Sequence, residues 1–137
     1  MDWDDFIQRE LLTHHCINGV CLIVTKNKIA YEHGELSGLK PSDLDQFTHL
    51  FRFATEAHDR NILNKGFVLA SKTGDKVWKF NIYHKTHCSA YATCLNADLG
   101  LVVCSLPYGV LVCMHCVPQM AGEAVNVIES FCQKLRA

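Results

Sequence analysis

Two short stretches of the chain carry residue types that hold metals or act as nucleophiles. His84-Lys85-Thr86-His87-Cys88 and Cys113-Met114-His115-Cys116 offer the thiolate and imidazole donors that tetrahedral zinc takes. The second also reads Cys-x-x-Cys, the spacing of a redox pair. A zinc ribbon sets its cysteine pairs on tight turns, whereas Cys113 and Cys116 fall in an apolar run that reads as a strand. Side chains three apart on a strand point to opposite faces. A redox pair needs a helix N-terminus to lower its thiol pKa, and the helix start at Pro118 lies just beyond Cys116. His14-His15 reads as the end of a helix.

No other constellation points to catalysis. The chain has no Gly-x-x-x-x-Gly-Lys phosphate loop and no nucleophile elbow, and no base is ordered beside a cysteine. The expectation is a protein that is not an enzyme and holds no cofactor or metal. Its eight cysteines sit largely in apolar surroundings. Cys21 lies in Val20-Cys21-Leu22-Ile23-Val24, Cys104 follows Leu101-Val102-Val103, and Cys113 follows Val110-Leu111-Val112. Free cysteine in such runs acts as a small hydrophobe, so reduced thiols filling a core are expected.

Composition narrows the class further. The chain has 137 residues, 49% of them hydrophobic, with 13 basic and 14 acidic side chains. That size is one domain, expected to span 1–137. Its apolar content excludes a disordered chain, and its near-neutrality disfavours a nucleic-acid binder. No apolar run approaches the roughly 20 residues that span a bilayer. The acidic start, Met1-Asp2-Trp3-Asp4-Asp5, lacks the features of an export signal, so a cytoplasmic location is expected.

The elements that must position these residues follow from periodicity. Asp2 reads as an N-cap, and Trp3, Phe6, Ile7 and Leu11 recur at helical spacing to about Thr13. Apolar runs at 20–25 and 29–33, joined at Asn27, predict an antiparallel hairpin. Lys40-Pro41-Ser42-Asp43 starts a helix with the apolar stripe Leu44, Phe47, Phe51 and Ala54. The polar stretch 55–64 reads as loop with room for a helical turn. Strands are predicted at 67–70, 76–82, 89–95, 101–105 and 110–116, separated by Gly- and Asn-containing turns. A last helix runs from about Pro118 to Arg136, with Ala121, Ala124, Ile128, Phe131 and Leu135 on one face. The order α-β-β-α-β-β-β-β-β-α predicts an α+β fold, a central antiparallel sheet with helices on both faces.

This sequence resembles profilin, the small actin-monomer-binding family, over nearly its whole length. Trp3 with Phe6 is similar to the family's N-terminal Trp-x-x-Tyr, and Tyr31 falls where the family carries Trp. Leu39-Lys40-Pro41-Ser42-Asp43-Leu44 resembles the family's Lys-Pro-Glu-Glu-Ile helix start. Gly109-Val110-Leu111-Val112 and Gly122 fit its last strand and C-terminal helix. The resemblance implies terminal helices together on one face of the sheet and a shorter helix on the other.

The resemblance also implies two sites. One is an aromatic groove for proline-rich segments, of the kind found in formin-type nucleators, on Trp3, Phe6, Tyr31 and the Lys134 position. Flat rings stack on a preformed polyproline II helix. Phe6 lacks the hydroxyl of the family's Tyr, and Lys134 replaces a groove aromatic or His, so a weakened groove is expected. The other is an actin face, matched here by Lys76, Val77, Lys79, Gly122 and Asn126. Met120 stands in place of His or Thr, and Ser105-Leu106 in place of a Lys-Lys-Thr run. Charge is polarised along the chain: residues 1–51 hold 4 basic and 8 acidic groups, residues 52–85 hold 7 and 3. A basic segment of Arg52, Arg60, Lys65, Lys72, Lys76, Lys79 and Lys85 suits acidic actin and, by the resemblance, phosphoinositides. Two other readings stay open on the residues alone: a longin- or roadblock-like adaptor for a GTPase or trafficking factor, and a Cys/His metal-binding protein.

Overall fold

The computed structural model describes residues 3–13, 17–51, 56–70, 76–94, 97–116 and 121–136. Helix α1 (Trp3–Glu10) carries Asp4 and Asp5 in its first turn and Arg9 in its last, which complements the helix dipole. It ends earlier than the periodicity suggests. The N–H groups of Leu11 and Leu12 both donate to the Ile7 carbonyl, and regular helix stops there. Asp2, the expected N-cap, lies outside the described residues. Strands β1 (Ile17–Val24) and β2 (Lys28–Gly34) form the expected hairpin. The tight turn between them puts Lys26 and Asn27 at φ 66° and 56°.

Helix α2 (Pro41–Thr48) starts as read, with Pro41 in its first turn and the Asp43 carboxylate accepting the Lys40 N–H at 3.0 Å. Leu44 and Phe47 are buried, but the helix stops at Thr48, so Phe51 follows it and Ala54 lies outside the described residues. The stretch read as loop with room for a helical turn forms a full helix, α3 (Glu56–Lys65). Gly66, at φ +67°, ends it by donating its N–H to the Ile62 carbonyl at 2.9 Å. This left-handed position is one that glycine adopts without strain.

Strands β3 (Phe67–Ala70), β4 (Val77–Lys85), β5 (Ser89–Cys94), β6 (Leu99–Leu106) and β7 (Gly109–His115) follow. All seven strands join in the order β2-β1-β7-β6-β5-β4-β3, every pair antiparallel. The edge strand β3 is blunted by Gln46, whose side-chain amide bonds both the Val68 carbonyl and N–H, at 2.9 and 3.0 Å. Helix α4 (Ala121–Arg136) closes the described chain.

Strand alternation sends apolar side chains to two cores. One face holds Cys21, Ile23, Phe67, Phe80, Leu101, Val103 and Val112 under Leu44 and Phe47 of α2, with Ile62 of α3 packed alongside. The other holds Val20, Leu22, Val102, Cys104, Leu111 and Cys113 under Ile7 of α1 and Ala124, Ile128 and Phe131 of α4. The terminal helices therefore share one face, and the two short helices take the other. Every described cysteine is free, and Cys21, Cys94, Cys104, Cys113 and Cys132 are buried. Burial pushes the Cys21 thiol up to about 12 and raises Cys113 well above its usual range.

Helix α4 lies along β6 and β7, and α1 reaches β2. Neither covers the outer side of β3 and β4. There the sheet presents Val68 at 48%, Val77 at 69% and Tyr83 at 55% exposure.

Candidate functional site

The residues expected to form an aromatic groove are divided by α1. On one flank Phe6 lies 5.1 Å from Phe131 of α4, rings tilted by 47°, and the Arg9 guanidinium sits 5.8 Å from the Phe6 centroid. One turn on, Lys134 Nζ bonds the Glu10 carboxylate at 2.8 Å. That hydrogen bond is the main reason Glu10 titrates below the usual carboxylate range. Glu10, Asn126, Ser130, Phe131 and Lys134 border a hollow of about 270 Å³. On the other flank Asp4 and Gln8 face Tyr31 across a hollow of about 520 Å³. Residues 4 and 8 share one side of a helix, residues 6 and 10 nearly the opposite one.

Tyr31 itself is only 8% exposed and belongs to the core beneath α1. Trp3 is half-buried, its ring 5.8 Å from that of Tyr108 in the β6–β7 turn. Tyr108 and Phe131 were legible only as a turn residue and a helix stripe residue, and spacing gives no sign that each receives an aromatic from α1.

The expected basic site is spread over the sheet edge. Val77 and Lys79 point out from β4 on the side of α1 and α4, and the exposed Lys76 directly precedes that strand. With Trp78, Asn18, Glu35, Cys94 and Leu99 these three border a hollow of about 710 Å³. Gly122 falls in the first turn of α4. Asn126 stands apart, exposed on the α1 side of α4. The basic segment does not form one patch among the described residues. Lys85 turns to the opposite face, its Nζ 5.3 Å over the Phe51 ring, while Arg60 and Lys65 belong to α3. Arg52 and Lys72 lie outside the described residues.

A polar cluster unsuspected from the sequence pins α4 to the sheet. The Glu129 carboxylate accepts the Ser89 hydroxyl at 2.7 Å and the Cys104 thiol at 3.2 Å. Arg136 donates to the Ser105 carbonyl at 2.8 Å and to the Cys88 carbonyl at 3.4 Å. The Tyr91 hydroxyl sits against Ser89 and Glu129, and burial, then the carboxylate, pushes it up to about 12. The Cys104 thiol is raised by its contact with Cys132 and by burial. The Cys104 thiol is held protonated, as a packing group rather than a nucleophile. Among the described residues no three His, Cys, Asp or Glu side chains gather as metal ligands. Cys88 of the first candidate cluster instead takes part in a turn with the Thr86 hydroxyl, and Cys113 is sealed in the core.

The profilin family model matches residues 1–137. The chain belongs to the profilin family. Solved profilins share its fold at low identity. Schizosaccharomyces pombe profilin superposes with a TM-score of 0.75 at 17% identity, over 97% of this chain and 95% of that one. Acanthamoeba castellanii profilin II gives 0.74 at 15% identity over the same shares. LokiProfilin2, solved in complex with rabbit actin, gives 0.69 at 14% identity over 96% and 93%. No curated protein sequence matches the chain. Family membership replaces the longin- or roadblock-like alternative. No helix among the described residues is long and apolar enough to cross a membrane.

Proposed function

We propose that this profilin-family chain is a non-enzymatic, cytoplasmic, single-domain binder of monomeric actin. It receives actin on the sheet face that α1 and α4 leave open. The supporting observation is the row Val77, Lys79 and Tyr83 along β4, with Val68 beside it on β3: exposed apolar side chains around a cation on a rigid sheet. Such a surface suits an acidic partner with apolar recesses, because the charge steers approach and the apolar contacts hold. LokiProfilin1 and LokiProfilin2, both solved with rabbit actin, share this fold, which supports the reading. Lys76, Val77 and Lys79 form the proposed contact surface, with Gly122 in the first turn of α4 and Asn126 peripheral.

Assembly of pyrene-labelled actin tests this directly. Added to monomeric actin, the protein should lengthen the nucleation lag in proportion to its concentration. An unchanged lag with the protein in severalfold excess over actin overturns the reading.

Binding of proline-rich segments is the weaker activity in this proposal. Trp3 and Tyr31 keep rings at the matching positions, but Phe6 is engaged by Phe131 and Arg9, and Lys134 by Glu10. Polyproline should therefore change tryptophan fluorescence only at high peptide concentration. The change should vanish in Trp3→Ala, and its persistence there would assign the signal to Trp78 instead.

A further inference from the structure

We propose that Tyr83 is the anchor of the actin-binding surface, set outward by strand alternation and propped by Tyr91 and by His84, which a β-bulge turns to the same side. This rests on the reading that the open sheet face receives actin. The β4–β5 register runs Asn81 opposite Thr93 and Ile82 opposite Ala92, then slips, so that His84 stands opposite Tyr91 and Tyr83 is the extra residue. A bulge breaks the strict alternation of sides and re-aims side chains. Here Ile82 stays in the core under α2, while both Tyr83 and His84 reach exposed positions. Their rings converge on Tyr91, with centroids 6.2 Å apart for Tyr83 and 5.6 Å for His84, the latter stacked at 19°.

Tyr91 is the fixed member of the trio. It is half-buried against the α1/α4 core, and its hydroxyl sits against Ser89 and Glu129. Ser89 in turn is fully buried and bonded to Glu129 of α4. The chain of contacts runs from helix α4 through Tyr91 to Tyr83, so the exposed ring leans on a rigid support. Binding energy concentrates in such preorganised aromatic side chains, because little rotamer freedom is lost on association. Tyr83 offers a large apolar face and a hydroxyl. Val77 and Lys79 continue the same side of β4 away from it, and Val68 lies beside Lys79 on β3. The group fits an acidic partner surface with an apolar recess, the Tyr ring entering the recess and Lys79 meeting the acidic rim. Lys79 governs encounter, and Tyr83 governs retention.

The test compares the wild-type chain with Tyr83→Ala, Tyr83→Gln and Lys79→Ala, measuring association and dissociation rates with monomeric actin at several salt concentrations. Both Tyr83 variants should weaken binding by about tenfold or more, chiefly through faster dissociation. Their salt dependence and thermal midpoints should match wild type, since the side chain is over half exposed. Lys79→Ala should instead slow association and flatten the salt dependence. If wild type binds and either folded Tyr83 variant binds within twofold of it, the anchor assignment is overturned while the actin reading stands. If wild type itself shows no binding, the actin reading falls and the assignment falls with it.

Discussion

The two sides of α4 treat aromatic residues in opposite ways. Toward α1, Phe6, Phe131 and Tyr31 are absorbed into intramolecular contacts, and the charged rim closes on itself through Glu10–Lys134 and Arg9–Phe6. Toward β4, Tyr83 and Val77 stand exposed on the sheet face that α1 and α4 leave open. Resemblance in sequence marks both regions as binding surfaces. The contacts divide them: the first is invested in holding the terminal helices together, and the second is left for a partner. A ring that already has a neighbour within about 5 Å has part of its face occupied, so matching a family position does not by itself preserve the family's surface.

Substitutions that strain this contrast come in descending order of effect. Phe131→Ala removes a buried ring shared by α1 and α4 and should cost about 3–5 kcal/mol of stability, read as a shift in the urea midpoint. A loss below about 1 kcal/mol would show that the α1/α4 side is not built as described. Glu129→Ala leaves the buried Ser89 hydroxyl without its acceptor and should cost about 1–3 kcal/mol, whereas Glu129→Gln, which keeps a carbonyl oxygen, should lose less. Equal losses in the two variants would deny the hydrogen bond its role.

A smaller effect comes from pH. His115 is 1% exposed, and neither ring nitrogen has a hydrogen-bond partner. It lies opposite Gly100, where any side chain would collide with the imidazole. Burial lowers its pKa below the usual 6.5. Above that value both folded and unfolded chains hold the ring neutral. As pH falls below about 6.5, the unfolded chain takes a proton that the folded ring refuses, so stability declines toward the folded-state pKa. His115→Leu should flatten that decline between pH 7 and 5.5 in thermal melts, and an unchanged slope would remove His115 as its source. Smallest of all, Val77→Ala should shift stability by no more than about 0.5 kcal/mol. Val77→Asp should stay folded yet weaken actin binding, and normal binding by that variant would take Val77 out of the contact surface.

Much of the fold was legible before any coordinates. All seven strands are apolar or alternating runs bounded by turn residues, and Pro41 with Asp43 marks the start of α2. Helix α3 was not read in full, because among its described side chains only Ile62 packs against the core; a stripe one residue wide leaves no period to read. The candidate sites were less legible than the fold. Val77 and Lys79 could be placed on one strand side by alternation. The Tyr83–His84–Tyr91 trio could not, since it depends on a bulge that overrides alternation at that very point. The pairings Phe6–Phe131 and Ser89–Glu129 join residues far apart in sequence, and spacing within one helix or strand carries no sign of them. The basic segment, one block by residue count, is split between two faces once Lys79 and Lys85 are set on their strand.

Hydrogen–deuterium exchange of the full chain, with and without monomeric actin, tests the central claim most directly. The account predicts that actin protects β3 and β4, residues 67–70 and 77–85, and leaves α1 unchanged. Protection confined to α1 and the α1 side of α4, or no protection anywhere at saturating actin, would contradict it.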